Sequence, residues 1–410
     1  MKTNRDVQFF LGRTLGRSSG QVFGIKTPDR LFHMAIFGQT GTGKSSLLST
    51  MAKQDMNAGQ GFCLIDPHGD LAKELAEYCG DRALYWDVAD PACPFGYNPL
   101  TYVKPEYRPL LASGLIETLR KQWSDAWGAR MEHLLRYALL ALLEWPTATL
   151  ADIIPLFLDS NLRTKVIANV TDPQVRSFWT LEFPKMNYKT AVDGVAPIAN
   201  KIGAFLAHPT VRKAVCTPEK PLRFRSLMDE GKVLIVNLGK GRIGADTANV
   251  LGGLIVSAFS LASYSRDTVR TPYFLYVDEF HAFTTSAFAD MLSELRKYGL
   301  GLIATTQYIS QLDDGVRDAL FGNVGTLLSF RIGASDASVL SPEFGSDIPA
   351  PSDLVRLPNY ELYLKLMIDD VQSKAFSARL VPHSETSLRT ETLPKGEPRV
   401  SLSGELIFSK

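Results

Sequence analysis

The sequence predicts an α/β fold with a central, mostly parallel sheet flanked by helices and a mostly helical inserted subdomain. Three observations predict it. Short apolar runs of strand length recur along the chain with helical spacing between them, the pattern of a parallel sheet covered on both faces. One of these runs ends in a glycine-rich loop followed by helix formers. Between about Tyr107 and Thr210 strand signals stop, and apolar residues recur only at helical spacing.

The first strand is Met34 to Phe37 in "MAIFGQTGTGKSSLL", where Gly38 to Ser45 matches G-x-x-x-x-G-K-[ST] between a strand and a helix. Gly38, Gly41 and Gly43 let the backbone curl so that N–H groups of the stretch Gly38, Gln39, Thr40, Gly41, Thr42, Gly43, Lys44, Ser45 and Ser46 face phosphate oxygens, helped by the helix N-terminus. Lys44 is expected to reach the β- and γ-phosphates of ATP, and Ser45 to ligate Mg2+.

Such a loop needs a second carboxylate for the metal on a neighbouring strand. "TPYFLYVDEFHAF" supplies one: Tyr273 to Val277 reads as a buried strand, with Asp278 and Glu279 at its C-terminal end. Asp278 would hold the metal's water shell, and Glu279 would act as general base on the attacking water. A kinase excludes water, whereas a glutamate beside the metal aspartate recruits it, so the pair points to ATP hydrolysis.

The other strands follow in order. "GFCLIDPHGDL" gives Phe62 to Ile65 with Asp66 at its end, "RALYWDV" a short strand, "KVLIVNL" another, and "GLIATTQ" a strand from Leu302 to Thr306 that stops on Gln307. Ligands of such sheets lie at the carboxyl ends of strands, where Lys44, Asp66, Asp278, Glu279 and Gln307 all fall. Gln307 is expected to touch the γ-phosphate or its water. Asp66 and His68 stand beside the site, although helix capping by Asp70 and a plain turn explain much of that stretch.

"LLASGLIETLRKQW", "GARMEHLLRYALLALLEW" and "KTAVDGVAPIANKIGAFLAH" make up the helical insertion. It is bounded by "DPACPFGYNPLTYVKPEY" and "TPEKPLRFRS". The organisation expected is a motor domain at 1–104 and 211–383, an all-α insertion at 105–210, and a polar, extended tail at 384–410.

Composition narrows the partners. With 44 Lys and Arg against 43 Asp and Glu, the formal charge is +1, so any nucleic-acid contact must come from a local basic surface. Cys63, Cys79, Cys93 and Cys216 show neither CxxC pairing nor metal spacing and read as reduced thiols. The longest weakly polar run, Val250 to Tyr264, has fifteen residues and three serines, too short and polar for a membrane span. No signal sequence is legible at the N-terminus. "LSGEL" at Leu402 resembles an ABC-transporter signature, but it follows the acidic strand instead of preceding it.

On "HMAIFGQTGTGKSS", "LIDPHGDL", "YNPL", "WGARMEHLLRYALLALLE", "LYVDEFHAF", "ELRKYGLGLIATTQ" and "NVGTLLSFRIGASDASVL" the chain resembles the HerA/FtsK superfamily of P-loop ATPases. It looks closest to TraG-type coupling ATPases of conjugation and type IV secretion and to HerA-like DNA translocases. The resemblance implies a RecA-like P-loop NTPase, a homo-hexameric ring, ATP at subunit interfaces and DNA in the central channel. It also implies that Arg296, between the acidic strand and the Gln307 strand, reaches into the neighbouring subunit's ATP. Arg331 in "SFRIG" is the rival for that role.

DNA contact is expected from "NLGKGRIGADT", where glycines free the backbone and Lys240 and Arg242 supply charge. Relatives of the coupling type have N-terminal transmembrane helices and HerA proper an N-terminal β-barrel. Neither is legible in the roughly thirty residues ahead of the loop strand, so the expectation is a bare motor or a cytoplasmic relative that partners recruit to the inner membrane. Two settings compete with DNA transfer alongside a relaxase or secretion-channel components. One is DNA processing or anti-phage defence with a nuclease; the other is secretion without a DNA substrate.

Overall fold

The computed structural model describes residues 8–15, 20–101, 103–186, 188–266, 270–345, 349–381, 398–400 and 406–408. In chain order its strands begin with β1 (Gln8–Thr14), β2 (Val22–Lys26), β3 (Met34–Phe37), β4 (Phe62–Asp66), β5 (Ala83–Asp87), β6 (Phe95–Gly96) and β7 (Lys220–Pro221). They continue with β8 (Val233–Asn237), β9 (Tyr273–Val277), β10 (Leu300–Thr306), β11 (Thr326–Ser329) and β12 (Glu361–Lys365). Last come β13 (Met367–Ile368), β14 (Val371–Gln372), β15 (Phe376–Leu380), β16 (Pro398–Val400) and β17 (Leu406–Phe408). The tail expected from 384 onward lies outside the described residues except for the paired β16 and β17.

Eleven strands form one sheet in the order β2-β1-β15-β12-β11-β3-β10-β9-β4-β8-β5. From β11 to β5 every pairing is parallel, and from β11 outward through β12, β15, β1 and β2 every pairing is antiparallel. The six strands expected from sequence are all present, all in the parallel part. One detail differs from expectation: the acidic strand β9 does not neighbour the loop strand β3, because β10 lies between them.

Alternation sorts side chains to two cores. Phe37, Ile65, Val236 and Val277 face one side, where they pack with Leu135, Leu139, Phe178 and Ile255. Ile36, Leu64, Ile235 and Tyr276 face the other and meet Leu48 and Met51 of the Lys44–Asn57 helix and Leu75 of the Asp70–Cys79 helix.

Between Arg108 and Cys216 every regular element among the described residues is a helix, with Arg108–Gln122, Ala129–Leu142 and Tyr188–Leu206 the longest. The bounding stretches pair with each other: β6 lies parallel to β7, with Lys220 N–H donating to Pro94 O at 2.8 Å and Leu222 N–H to Gly96 O at 2.8 Å. The chain therefore leaves and rejoins the sheet layer at adjacent points, and the buried face of the helical segment joins the same core as Phe37 and Ile65.

The apolar run at 250–264 belongs to a longer helix, Ala245–Tyr264, of 20 residues. Among the described residues it is the one helix long and apolar enough to cross a membrane. In this fold Leu251, Ile255 and Phe259 are buried and the helix packs against Arg108–Gln122.

His33, just before β3, is buried in a left-handed backbone conformation (φ 66°). Its Nδ1 accepts from Leu302 N–H at 3.0 Å, so the proton sits on Nε2, 3.0 Å from Leu292 O. Burial pushes the ring down to about 4 from 6.5. Unfolded chains therefore take up this proton as pH falls below 6.5 while the folded protein does not until about 4. Stability present above pH 6.5 is lost across that window, by about 3 kcal/mol at most. Urea unfolding at pH 7 and pH 4.5 is expected to show a smaller acid loss in His33→Asn than in wild type.

Candidate functional site

β3 runs directly into the glycine loop, and the Lys44–Asn57 helix starts from it. Gly43 has φ 126°, a region side chains rarely adopt, and a Cβ there would meet the rings of Phe330 and Tyr360 at 3.0 and 3.2 Å. Thr42 Oγ1 closes the loop on Gln39 O at 2.7 Å. The Lys44 ammonium lies inside the loop, donating to Gly38 O at 2.5 Å and Gln39 O at 3.1 Å. Burial lowers its pKa, opposed by the nearby carboxylates of Asp278 and Glu279.

Strand register brings the other groups alongside. Val277 pairs with Ile65 and with Ala304, and Phe37 pairs with Thr306, so Gly38, Asp66, Asp278 and Gln307 each extend one residue past these partners or beside them. A cavity of about 790 Å³ is lined by Thr40, Gly41, Gly43, Lys44, Ser45 and Ser46 on one side and by Asp278, Glu279 and Gln307 on another. Gly38, Gln39 and Thr42 shape the loop behind it.

Asp278 is buried and accepts from Thr305 Oγ1. Burial raises its pKa, and the like charges of Asp66 and Glu279 add to that effect. Glu279 follows in a left-handed conformation (φ 52°), an arrangement that costs free energy and turns its carboxylate into the cavity. Gln307 Nε2 donates to Glu279 Oε1 at 2.8 Å. On the other carboxylate oxygen, His281 Nδ1 lies 3.4 Å away, and the same nitrogen is 3.0 Å from Thr306 Oγ1. Because β10 stands between β3 and β9, its terminal amide is placed between the loop and the glutamate. Sequence reasoning missed His281, although it sits two residues after Glu279 in "DEFHAF".

Asp66 is spent on local structure. Its two oxygens accept from His68 N–H at 2.8 Å and Ala72 N–H at 2.9 Å, so it is Asp66, and not Asp70, that caps the following helix. His68 is exposed at the cavity wall.

The remaining cations lie elsewhere. Arg331 is bound within its own chain, donating to Leu357 O at 3.1 Å and Asn359 Oδ1 at 2.9 Å, while its carbonyl accepts from Gln39 N–H at 2.8 Å. It braces the glycine loop from behind. Arg296 stands at the start of β10, at the far end of the sheet from the cavity; its guanidinium lies over Phe32, 3.2 Å from the ring centre, and 3.2 Å from Asp370. The expected loop with Lys240 and Arg242 is a short helix, Lys240–Ile243, and Arg242 is ion-paired with Asp87 at 2.6 Å.

The donor set fits Mg2+. A serine hydroxyl at the helix start and a buried carboxylate crowded by two others are hard oxygen ligands whose mutual repulsion a divalent cation would relieve. Among the described residues no group of three or more His, Cys, Asp and Glu could hold a metal alone. Ser45 and Asp278 would hold the ion together with substrate oxygens and water.

A glycine loop between strand and helix, an acidic pair two strands away and a polar strand end between them, all at the carboxyl end of a parallel sheet, define the RecA-like P-loop NTPase fold. Within that class the chain belongs to the family described as Helicase HerA, central domain, which matches residues 11–255. Among solved structures, the plasmid coupling protein TrwB in complex with ADP and Mg2+ matches with a TM-score of 0.64 at 16% identity, over 92% of this chain and 95% of that one. TrwB with the GTP analogue GDPNP gives 0.64 at 18%, over 90% and 89%. VirB4 of Thermoanaerobacter pseudethanolicus gives 0.63 at 14%, over 93% and 98%. At such identities the likeness is one of fold. No curated protein matches.

Proposed function

We propose that this chain is an ATP-hydrolysing, ring-forming motor that binds and translocates DNA, serving as a coupling ATPase of conjugation or type IV secretion. The observation that supports this best is a division of the site. Loop, acidic pair and Gln307 converge at one end of the sheet, while the half-exposed guanidinium of Arg296 is presented at the other. Such an arrangement is completed by a second copy set head to tail, as in a homo-hexameric ring.

In this reading Lys44 exchanges the loop carbonyls for the β- and γ-phosphates. Glu279 takes the proton from the attacking water, and Gln307 and His281 hold the carboxylate for that step. Bound Mg2+ would offset charge on the phosphate oxygens. Arg296 of the neighbour would do the same in the transition state. The motor comprises 1–104 and 211–383, with 105–210 as a helical subdomain. Lys121 Nζ in that subdomain donates to Thr284 O at 2.5 Å, which connects it to the segment after Glu279. Lys240 and Arg242 remain the DNA candidates, with Arg242 exchanging Asp87 for a phosphate. The protein would work in the cytoplasm, brought to the inner membrane by secretion components or a relaxase.

Duplex DNA is expected to stimulate ATP hydrolysis severalfold at roughly 50 mM salt and to lose that stimulation toward about 200 mM, because phosphate contacts release counterions. Lys44→Ala is expected to hydrolyse nothing under either condition. Absence of stimulation at low salt would favour secretion without a DNA substrate, and co-purification with a nuclease instead of a relaxase would favour DNA processing or defence.

A further inference from the structure

A second cavity, of about 610 Å³, adjoins the first and shares Ser46, Thr50 and Tyr360 with it. Besides the start of the loop helix, its walls come from elements with no part in phosphate binding, among them Leu11 of β1, Leu380 at the end of β15 and Val381 just beyond. The volume lies within the range of small-molecule sites, and the helix that starts at Lys44 forms one wall through Ser46, Leu47 and Thr50.

Tyr360 stands at the junction. Its backbone is held in the left-handed region (φ 67°), which costs free energy for a residue with a side chain, and both of its backbone groups are tied down. Its N–H donates to Thr42 O at 2.8 Å, and its carbonyl accepts from Leu380 N–H at 2.9 Å. The ring packs against the Gly43 position yet remains 49% exposed, where burial would be usual for an aromatic in this core. A strained backbone thus fixes a bare aromatic face beside the glycine loop and at the mouth of a mostly apolar cavity that Arg13 and Arg379 also line.

We infer that this second cavity receives the nucleobase of the bound nucleotide, with Tyr360 stacking on its plane and Leu11, Leu380 and Val381 covering it. The inference rests on the P-loop reading above and adds to it the base subsite. A nucleotide whose phosphates lie on the loop passes Ser46 and Thr50, the residues common to both cavities, and delivers its base there. The subsite is built within one subunit. Nucleotide binding therefore needs no neighbour, unlike the hydrolysis proposed for the ring.

The test is binding of ADP and of inorganic tripolyphosphate, by calorimetry, to wild type, Tyr360→Ala, Tyr360→Leu and Tyr360→Phe. Loss of a base–aromatic stack is expected to weaken ADP roughly ten- to a hundredfold in the alanine and leucine variants. Tripolyphosphate, which has no base, is expected to change less than about threefold, and Tyr360→Phe to bind both ligands as wild type does. Leucine retains bulk at the position, so a folded leucine variant that keeps wild-type ADP affinity overturns the assignment. Equal losses for ADP and tripolyphosphate overturn it too, since Tyr360 would then act only through the loop. A wild-type protein that binds neither ligand refutes the P-loop reading and the subsite together.

Discussion

Replacing Arg296 with alanine is expected to lower ATP hydrolysis by about 10³-fold or more, with ADP affinity essentially unchanged. The argument is one of distance. Arg296 precedes β10 and Gln307 follows it; the seven residues of the strand at ~3.3 Å each separate them by about 23 Å, so the guanidinium cannot touch the phosphates of its own subunit. Its guanidinium is stacked on Phe32, bonded to Asp370 and about half exposed, which leaves it open to a neighbour. Mixing supplies the decisive measurement. Arg296→Ala subunits keep an intact loop and lack only the trans cation, whereas Lys44→Ala subunits keep that cation and lack the loop's lysine. A mixed assembly should regain a measurable part of wild-type hydrolysis, although each variant alone is nearly inactive. An assembled Arg296→Ala ring with full activity would remove Arg296 from the site, and Arg331, already braced to Leu357 and Asn359, could not replace it without leaving those partners.

Most of the parallel part of the fold was legible because its strands are buried on both faces and read as continuous apolar runs: every residue of β3, β4, β8, β9 and β10 is buried, whereas the equally buried β11, only four residues of "TLLS", was too short and polar to stand out. The antiparallel part was not. β2 and β12 alternate between buried and half-buried residues, and "ELYLK" has charges at both ends, a pattern with too little contrast to separate a strand from a loop. Strand order was equally hidden, since nothing in the residues says that β10 inserts between β3 and β9. That order changes the meaning of Gln307. As the end of a strand beside the acidic one it reads as a contact to the γ-phosphate; in the structure its amide bonds the Glu279 carboxylate, so in the proposed mechanism it would hold the general base as well as meet the phosphate. Tyr360 lies in "LPNYELYLKLMIDD", which carries only a weak echo of the family resemblance and gives this residue no role. Its place beside the loop is created by β12 and β15 joining the sheet, about three hundred residues after the glycine motif.

Asp55→Ala is expected to cost about 3–5 kcal/mol of stability, read as a lowered urea midpoint. Asp55 lies on the Lys44–Asn57 helix and holds Arg30 with two bonds of 2.7 Å, both side chains fully buried. The guanidinium also donates to Tyr276 of β9 at 2.7 Å and lies between the rings of Phe9 and Phe274, 4.2 and 3.8 Å from their centres. Burial alone would pull the arginine toward neutrality, but Asp55 and Tyr276 outweigh it and keep the charge in place. Removing Asp55 leaves that charge in an apolar core with its Nε already lacking a partner. The pair links β1, the loop helix and the acidic strand, so its value is as much in alignment as in energy. Replacing both partners, as in Arg30→Met with Asp55→Leu, removes the charge along with its counter-ion. Stability should then return to within about 1–2 kcal/mol of wild type, because apolar side chains of similar volume commonly replace a buried pair at little cost. If Asp55→Ala alone stayed within about 1 kcal/mol of wild type, water would have to reach Arg30, and the core between the two layers would be looser than the contacts around it imply.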